Sequence, residues 1–324
     1  MDALLHREHE EHQRSRIIDY FSNARMTELP SFRALCNALK AICIDVAVRA
    51  ERERGVPRAH VLDVGCGRGG DLNKWIKPRL RSYVGLDGSA RCVEEARRRH
   101  TSLVANGRSN LTATFEVVDL CRDPMPVATS SIDIVSAMFF LQYIFESQHA
   151  AGFFFDECRR ALKPGGIFMA ILPDGDRVHS LLTRQLCIEH PTVTFGHFRL
   201  EPVAGDIERG AYGIAYNFSL THDGGCVEYV ASSELLALLL RERDFEPILP
   251  GGFTCPAQQF FCSSGQLELA ASVMKGEPCS HIDWLSLGFF TVLLAALPAE
   301  QAPGDAARKS PPAEDSAPQG SRGS

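Results

Sequence analysis

The chain has 324 residues, of which 45% are hydrophobic and 23% charged, and a net charge of −6. That supports a buried core over most of its length and excludes wholesale disorder. It also argues against a protein that wraps nucleic acid by bulk positive charge, though not against a local basic site.

The 11 cysteines include no C-x-x-C pair, so neither a disulfide framework nor a zinc site is indicated, and a reducing nuclear or cytosolic home is expected. No apolar run approaches the roughly 18–20 residues that span a bilayer, and Met1–Glu8 has no apolar h-region; neither a membrane segment nor a secretory signal is expected.

Residues 1–15 are polar, with His6, His9 and His12 spaced every three residues. They read as a solvated, frayed terminus in preference to a metal site. Phe32 to Ala50 carries Leu35, Leu39, Ile42 and Val46 on one stripe and predicts a helix. Strand and helix then alternate. Strands are predicted at 61–64, 82–87, 114–118, 132–137 and 167–172, and helices at 71–77, 89–100 and 153–162. The last of these helices stops at Lys163-Pro164-Gly165-Gly166, read as a turn. This alternation predicts an α/β fold with a doubly wound, mostly parallel, seven-stranded sheet. Residues 190–230 break the rhythm and read as an inserted β-rich lobe. Ser232 caps a helix over 235–241, 289–297 is apolar enough for a last strand, and 298–324, rich in Pro, Ala, Gly and Ser, is expected to be disordered.

Gly65-Cys66-Gly67-Arg68-Gly69-Gly70-Asp71 follows the first strand and opens a helix, where a ligand must approach bare backbone amides. Gly65, Gly67 and Gly70, with Asp87 about 20 residues on, satisfy a dinucleotide pattern as well as a methyltransferase one. Three further features favour the second. Asp63 in the preceding strand is suited to fixing the loop and facing a positively charged ligand. Asp119 ends the third strand, where a carboxylate can accept from an adenine amino group. The 162–166 turn leads into the fifth strand. Together these resemble the class I S-adenosylmethionine-dependent methyltransferases.

The resemblance sharpens in four segments. Gly65 to Trp75, with Arg68 between glycines and Lys74-Trp75 after them, resembles the signature of the mRNA cap guanine-N7 methyltransferases. Phe139-Phe140-Leu141-Gln142-Tyr143-Ile144-Phe145-Glu146-Ser147 is similar to that family's Phe-x-x-His-Tyr-x-Phe-Glu-Ser. Residues 31–40 resemble its N-terminal helix, and Tyr216–Leu220 with Val227-Glu228-Tyr229 its Tyr-x-Phe-x-Leu strand and following acid-aromatic pair. The likeness runs over 16–297. It implies methyl transfer from S-adenosylmethionine to N7 of the guanine that caps mRNA (GpppN-RNA). Lys40, Asp63, Gly65, Gly67, Asp87, Asp119, Met138 and Tyr143 would hold the cofactor. Asn37, Arg68, Lys74, Phe139, Gln142, Pro173, Glu228 and Phe290 would face the cap. Four positions depart from the pattern: Cys36 for Asn, Ala38 for Trp, Met138 for Gln and Gln142 for His. Gln142 keeps both a donor and an acceptor for guanine.

The implied chemistry needs no general acid or base, because guanine N7 carries a lone pair and no proton. In-line displacement rests on positioning by Glu228, Tyr143 and Phe139. A carboxylate on the guanine N1/N2 edge opposes the charge that N7 gains, and aromatic faces favour the cation. Between Arg68 and Arg99, nine Lys or Arg face four Asp or Glu, and Arg68, Lys74, Lys77, Arg79 and Arg81 group around the first helix, which suits a short triphosphate. Arg97-Arg98-Arg99 reads as a solvated helix face. Expected partners are the capped RNA 5′ end and proteins of the capping machinery, with no metal, no membrane, a monomeric state, and the nucleus rather than the cytoplasm as location. The alternatives are a class I methyltransferase acting on a small molecule and an inactive cofactor-binding subunit; a nicotinamide oxidoreductase has only the glycine spacing and Asp87 in its favour.

Overall fold

The computed structural model describes residues 29–185, 192–203, 210–220 and 225–299. The histidine-spaced terminus and residues 300–324 lie outside the described residues. The first described helix, α1 (Pro30–Glu53), buries Leu35, Leu39 and Ile42 of the predicted stripe, leaves Val46 half-buried, and opens on a proline at its first turn.

The alternating segments form β1 (His60–Val64), α2 (Leu72–Ile76), β2 (Ser82–Asp87), α3 (Ala90–Ala105), β3 (Ala113–Val117), β4 (Ile132–Met138), α4 (Gln148–Ala161) and β5 (Leu162–Pro173). β1 to β5 are parallel in the order β3-β2-β1-β4-β5. β12 (Phe290–Ala296) joins β5 antiparallel and carries β10 (Glu246–Pro247) on its outer edge; β11 (Thr254–Pro256) shares that edge as an eighth strand. β4 is buried at every position, as a strand covered on both faces requires. One core, around Phe32, Leu39 and Trp75, lies against one face. Another, around Phe154, Phe155 and Phe168, lies against the other. A separate antiparallel sheet runs β6 (Val193–Phe195), β7 (Phe198–Pro202), β8 (Ala215–Leu220), β9 (Cys226–Tyr229).

Two expectations are corrected. Helix α4 begins at Gln148, where the Ser147 hydroxyl accepts from the Ala150 amide and caps it. Lys163–Gly166 stops that helix as predicted, but it is an irregular part of β5, not a turn before it. Pairing jumps from Ile132–Leu162 to Ile134–Ile167, and the left-handed Gly165 (φ 73°) absorbs the extra residues. Helices at Gly175–Gln185, Ala257–Ser263, Leu267–Met274 and His281–Leu287, and the two short edge strands, were not read from the sequence. Most are too short for their apolar spacing to stand out.

Candidate active site at the carboxyl end of the parallel sheet

Strand order reverses between β1 and β4, and ligands of such sheets bind outside the carboxyl ends of the strands at that point. A cleft of about 790 Å³ opens there. The glycine turn and the ends of β2 and β3 form one wall, and the second sheet with the segment after β4 and the ends of β5 and β12 forms the other.

On the first wall, Gly65 has φ 69°, and a Cβ there would come within 2.6 Å of the Phe140 ring, so only glycine fits the turn. Gly67 and Gly70 also line the cleft, and a Cβ on either would meet nothing within 4 Å, so bare backbone faces open space. The Gly67 amide donates to Asp87 Oδ2 at 2.8 Å and the Ser89 amide to Oδ1 at 2.9 Å. Asp87 therefore pins the glycine turn to the end of β2. Burial raises its carboxyl group, and the two amides oppose that. Asp119 lines the cleft and accepts from the Cys121 amide at 3.1 Å, so turn and cleft roles coincide in one side chain. Met138 closes this end of β4.

Asp63 is placed differently from its expectation. It is buried beneath the turn, does not line the cleft, and accepts from the Tyr83 hydroxyl at 2.6 Å. Burial, then the neighbouring Asp71, pushes its carboxyl up to about 6. Tyr83 is buried and does not line the cleft.

Between the walls lies a network the sequence reading did not connect. Lys40 Nζ donates to Asp71 Oδ2 at 2.7 Å, and Lys74 Nζ donates to Asp71 Oδ1 at 2.7 Å and to Asn37 Oδ1 at 2.9 Å. Burial works to raise the Asp71 carboxyl, but the two lysines hold it well below the usual carboxylate range. Lys40 also sits 5.1 Å from the centre of the Phe139 ring. Lys40 and Asp71 line the cleft; Asn37 and Lys74 do not, and stand one layer behind them. Arg68 lines it directly. Cys36 lines it too, its thiol pushed up to about 12 by burial, whereas Ala38 is packed in the core away from it.

On the second wall, Phe139 lies at φ 60°, a strained conformation for an aromatic residue. It is held by its amide donating to Ile171 O at 2.6 Å and by Phe290, edge-on at 4.9 Å. Phe290 pairs across β5–β12 with Pro173, and both line the cleft. After Phe139 a 3-10 turn (Leu141–Glu146) turns Gln142 and Tyr143 toward β9. Glu228 is only 2% exposed there. Its Oε2 accepts from Tyr216 at 2.8 Å, and its Oε1 from Tyr143 at 3.1 Å and Gln142 at 3.4 Å. Burial pushes its carboxyl up to about 7 against those hydrogen bonds. Sequence reasoning missed Tyr216 as a partner of Glu228. The signal was available in the hairpin, whose register sets the two residues opposite each other. It also missed Phe198 and Phe218, which line this wall.

The five basic residues grouped by sequence separate in space. Arg68 is at the cleft, but Arg79 and Arg81 precede β2 and so lie at the opposite end of the sheet, about 13 Å away by the rise of the five-residue β1. Arg97, Arg98 and Arg99 pair with Glu94 and Glu95 on α3, a solvated face. Among the described residues, no group of three or more His, Cys, Asp or Glu could hold a metal ion, and no helix is long and apolar enough to cross a membrane.

Residues 6–265 match the family model described as the mRNA (guanine-N(7))-methyltransferase domain. A relative from Caenorhabditis elegans, named mRNA cap guanine-N(7) methyltransferase, is 29% identical over 229 residues, covering 68% of this chain and 60% of the relative. One from Arabidopsis thaliana, mRNA cap guanine-N(7) methyltransferase 1, is 27% identical over 66% of this chain and 58% of its own length. The chain thus spans about 60% of the length of such relatives. A solved S-adenosylmethionine-dependent methyltransferase from Clostridium acetobutylicum matches at TM-score 0.50 and 13% identity, covering 80% of this chain and 92% of that one, a likeness of fold.

Proposed function

The chain belongs to the mRNA (guanine-N7)-methyltransferase domain family, and from that premise we propose that it transfers a methyl group from S-adenosylmethionine to N7 of the guanine cap of GpppN-ended RNA. The single observation that carries this reading is Glu228, a carboxylate kept in an almost fully buried place on the wall facing the glycine turn. Burying an acid is costly unless it meets donors, and Tyr216, Tyr143 and Gln142 meet that cost and hold it as an acceptor at the cleft. Guanine offers two donors on one edge, N1–H and the N2 amino group; adenine offers no such pair.

The first wall fits the cofactor. Its left-handed turn leaves the Gly67 and Gly70 backbone bare to the cleft, and Asp87 and Asp119, which line the same cleft, would accept from ribose hydroxyls and an adenine amino group. When bound, S-adenosylmethionine supplies a methyl group activated on a sulfonium. The chain's own work is to hold guanine against that wall. Phe139, Phe290 and Tyr143 offer aromatic faces to the base, and Glu228 opposes the positive charge that guanine gains as N7 forms its bond. Arg68 meets the triphosphate. With no proton to remove from N7, none of these residues acts as acid or base, and alignment is the main source of rate, worth up to roughly 7–11 kcal/mol.

The test is methyl transfer to GpppN-ended RNA, followed by nuclease digestion to locate the methyl. Label in 7-methylguanosine is the expected product. Label on another atom, or transfer only to small acceptors, overturns the reading.

A further inference from the structure

Arg52, Arg58, Lys77, Arg79 and Arg81 are exposed, and none has a carboxylate partner among the described residues. They form one surface. Arg52 donates to Pro78 O at 2.8 Å; Arg58 donates to Arg79 O at 3.2 Å and Leu80 O at 3.0 Å; the Arg81 amide donates to Ala59 O at 2.8 Å. These bonds tie the end of α1 and its exit to the segment between α2 and β2. In residues 52–58 and 77–81, Glu53 is the one acid. In an acidic protein, such a concentration of unpaired charge is costly to keep together unless an anion uses it.

The helix α2 links this surface to the cleft. Asp71, which precedes α2, lines the cleft with Arg68, and Lys77, which follows α2, is exposed. On α2 itself Asn73 is exposed. No large exposed hydrophobic residue lies in this surface. A protein partner needs buried apolar or aromatic anchors to gain affinity, whereas a phosphate backbone needs charge and donors.

We propose that the cationic track from Arg68 along α2 to Lys77, Arg79, Arg81, Arg58 and Arg52 binds the sugar-phosphate backbone of the RNA that follows the cap. The proposal rests on the cap reading for its starting point: the triphosphate at Arg68 delivers the next nucleotides to α2. It carries no sequence preference, since the track offers charges and no base-stacking platform. Arg52 and Arg58, held on carbonyl groups, are pre-organised; Lys77, Arg79 and Arg81 follow the strand as it leaves.

The experiment compares the GpppN dinucleotide with capped RNAs of about 5 and about 20 nucleotides, for the protein and its Lys77→Ala/Arg81→Ala variant. Both side chains are exposed, so the fold is unaffected, which a melting curve checks. The Michaelis constant of the unaltered protein falls as the RNA lengthens. The variant loses most of that gain, roughly tenfold for the longest RNA, keeps its rate on the dinucleotide, and has a salt dependence shallower by about 1.4 in log–log slope. Fluorescence anisotropy with uncapped RNA of the same length separates the two readings. Weaker binding by the variant supports the track even where no cap methylation is found, which would sink the cap reading alone. Equal Michaelis constants at every length overturn the track. So does a variant that loses binding to an acidic phosphorylated peptide while keeping its RNA length dependence, which would give the surface to a protein.

Discussion

The two walls of the cleft solve the same problem, presenting polar groups in a dry place, by opposite means. The glycine-turn wall uses backbone: Asp87 is satisfied by two amides, that of Ser89 in its own β–α connection and that of Gly67 in the neighbouring glycine turn. The facing wall uses side chains from distant segments: Glu228 on β9 is satisfied by Tyr216 on β8 and by Tyr143 and Gln142 after β4. A turn can be satisfied locally because amides come with the chain, and a cofactor that needs only amides and one acid suits it. A base edge must be matched by a side chain, and that side chain needs neighbours to hold its charge. Asp71, bonded to Lys40 and Lys74, stands where the walls meet.

The largest effect should come from breaking that junction. Asp71→Asn removes the counter-ion of two half-buried ammonium groups, and stability should fall by about 3 kcal/mol, a loss of about 6–12 °C in Tm. Michaelis constants for cofactor and capped RNA should rise together. The folded Asp71 carboxyl titrates below its unfolded value, so its contribution is complete above the ordinary carboxylate range and is lost as pH falls through the lower folded value. A Tm change under about 2 °C would show that the lysines find other partners.

Next is the side-chain wall alone. Glu228→Gln keeps size and removes charge, so kcat/KM for capped RNA should drop roughly 100-fold, about 2.7 kcal/mol, with cofactor affinity unchanged. Its ionisation gives a second reading. The carboxyl is raised to about 7 in the fold, so kcat/KM should climb with pH through about 7 in the unaltered protein and lose that step in the variant. Stability should run the other way. Between the ordinary glutamate value of 4.5 and about 7, the unfolded chain has released a proton that the fold retains, so stability declines as pH rises, and Glu228→Gln removes the decline. A variant with near-normal cap methylation would falsify the placement of guanine on this wall.

The backbone wall should respond separately. Asp87→Ala removes the acceptor for ribose and releases the Gly67 amide, and cofactor affinity should weaken at least roughly tenfold, in line with about 1.5–3 kcal/mol for charge-assisted bonds. The Michaelis constant for RNA at saturating cofactor should change little. Unchanged cofactor affinity in a folded protein removes Asp87 from the site.

The same contrast explains what could be read from the sequence. The turn, its glycines and Asp87 were legible because their geometry is set by neighbours in the chain. Parallel strands were legible as short apolar runs between breakers. Side-chain direction was not. Asn37 and Cys36 are adjacent in sequence, but a helix turns about 100° per residue, and Cys36 shares the face of Lys40 while Asn37 is carried behind it. Asp63 lies in the right strand yet on its inward side, under Tyr83. Arg79 and Arg81 are near Arg68 along the chain, but the five-residue α2 and the return to β2 carry them to the other end of the sheet. Glu228 could be named from resemblance, but its burial depends on Tyr143 and Gln142, some 85 residues away in the chain.

The smallest effect concerns the cations themselves, and it sharpens the border between the walls. Arg68 lines the cleft and has no carboxylate partner among the described residues, whereas Lys74 is already spent on Asp71 and Asn37. Their contributions to phosphate binding should therefore differ. Arg68→Ala should raise the Michaelis constant for capped RNA several-fold, by the order of 1 kcal/mol for an exposed charge contact, and flatten its salt dependence by about 0.7 in log–log slope, with cofactor binding intact. Lys74→Ala should leave the salt slope nearly unchanged, because the lost charge was paired, and should act instead through Asp71, raising the cofactor constant as Lys40 loses its fixed partner geometry. The deciding quantity is the salt slope and not the affinity, since both variants weaken binding. If Lys74→Ala flattens the slope and Arg68→Ala does not, then Lys74 leaves Asp71 for the triphosphate when RNA binds, and the junction between the walls is a moving part.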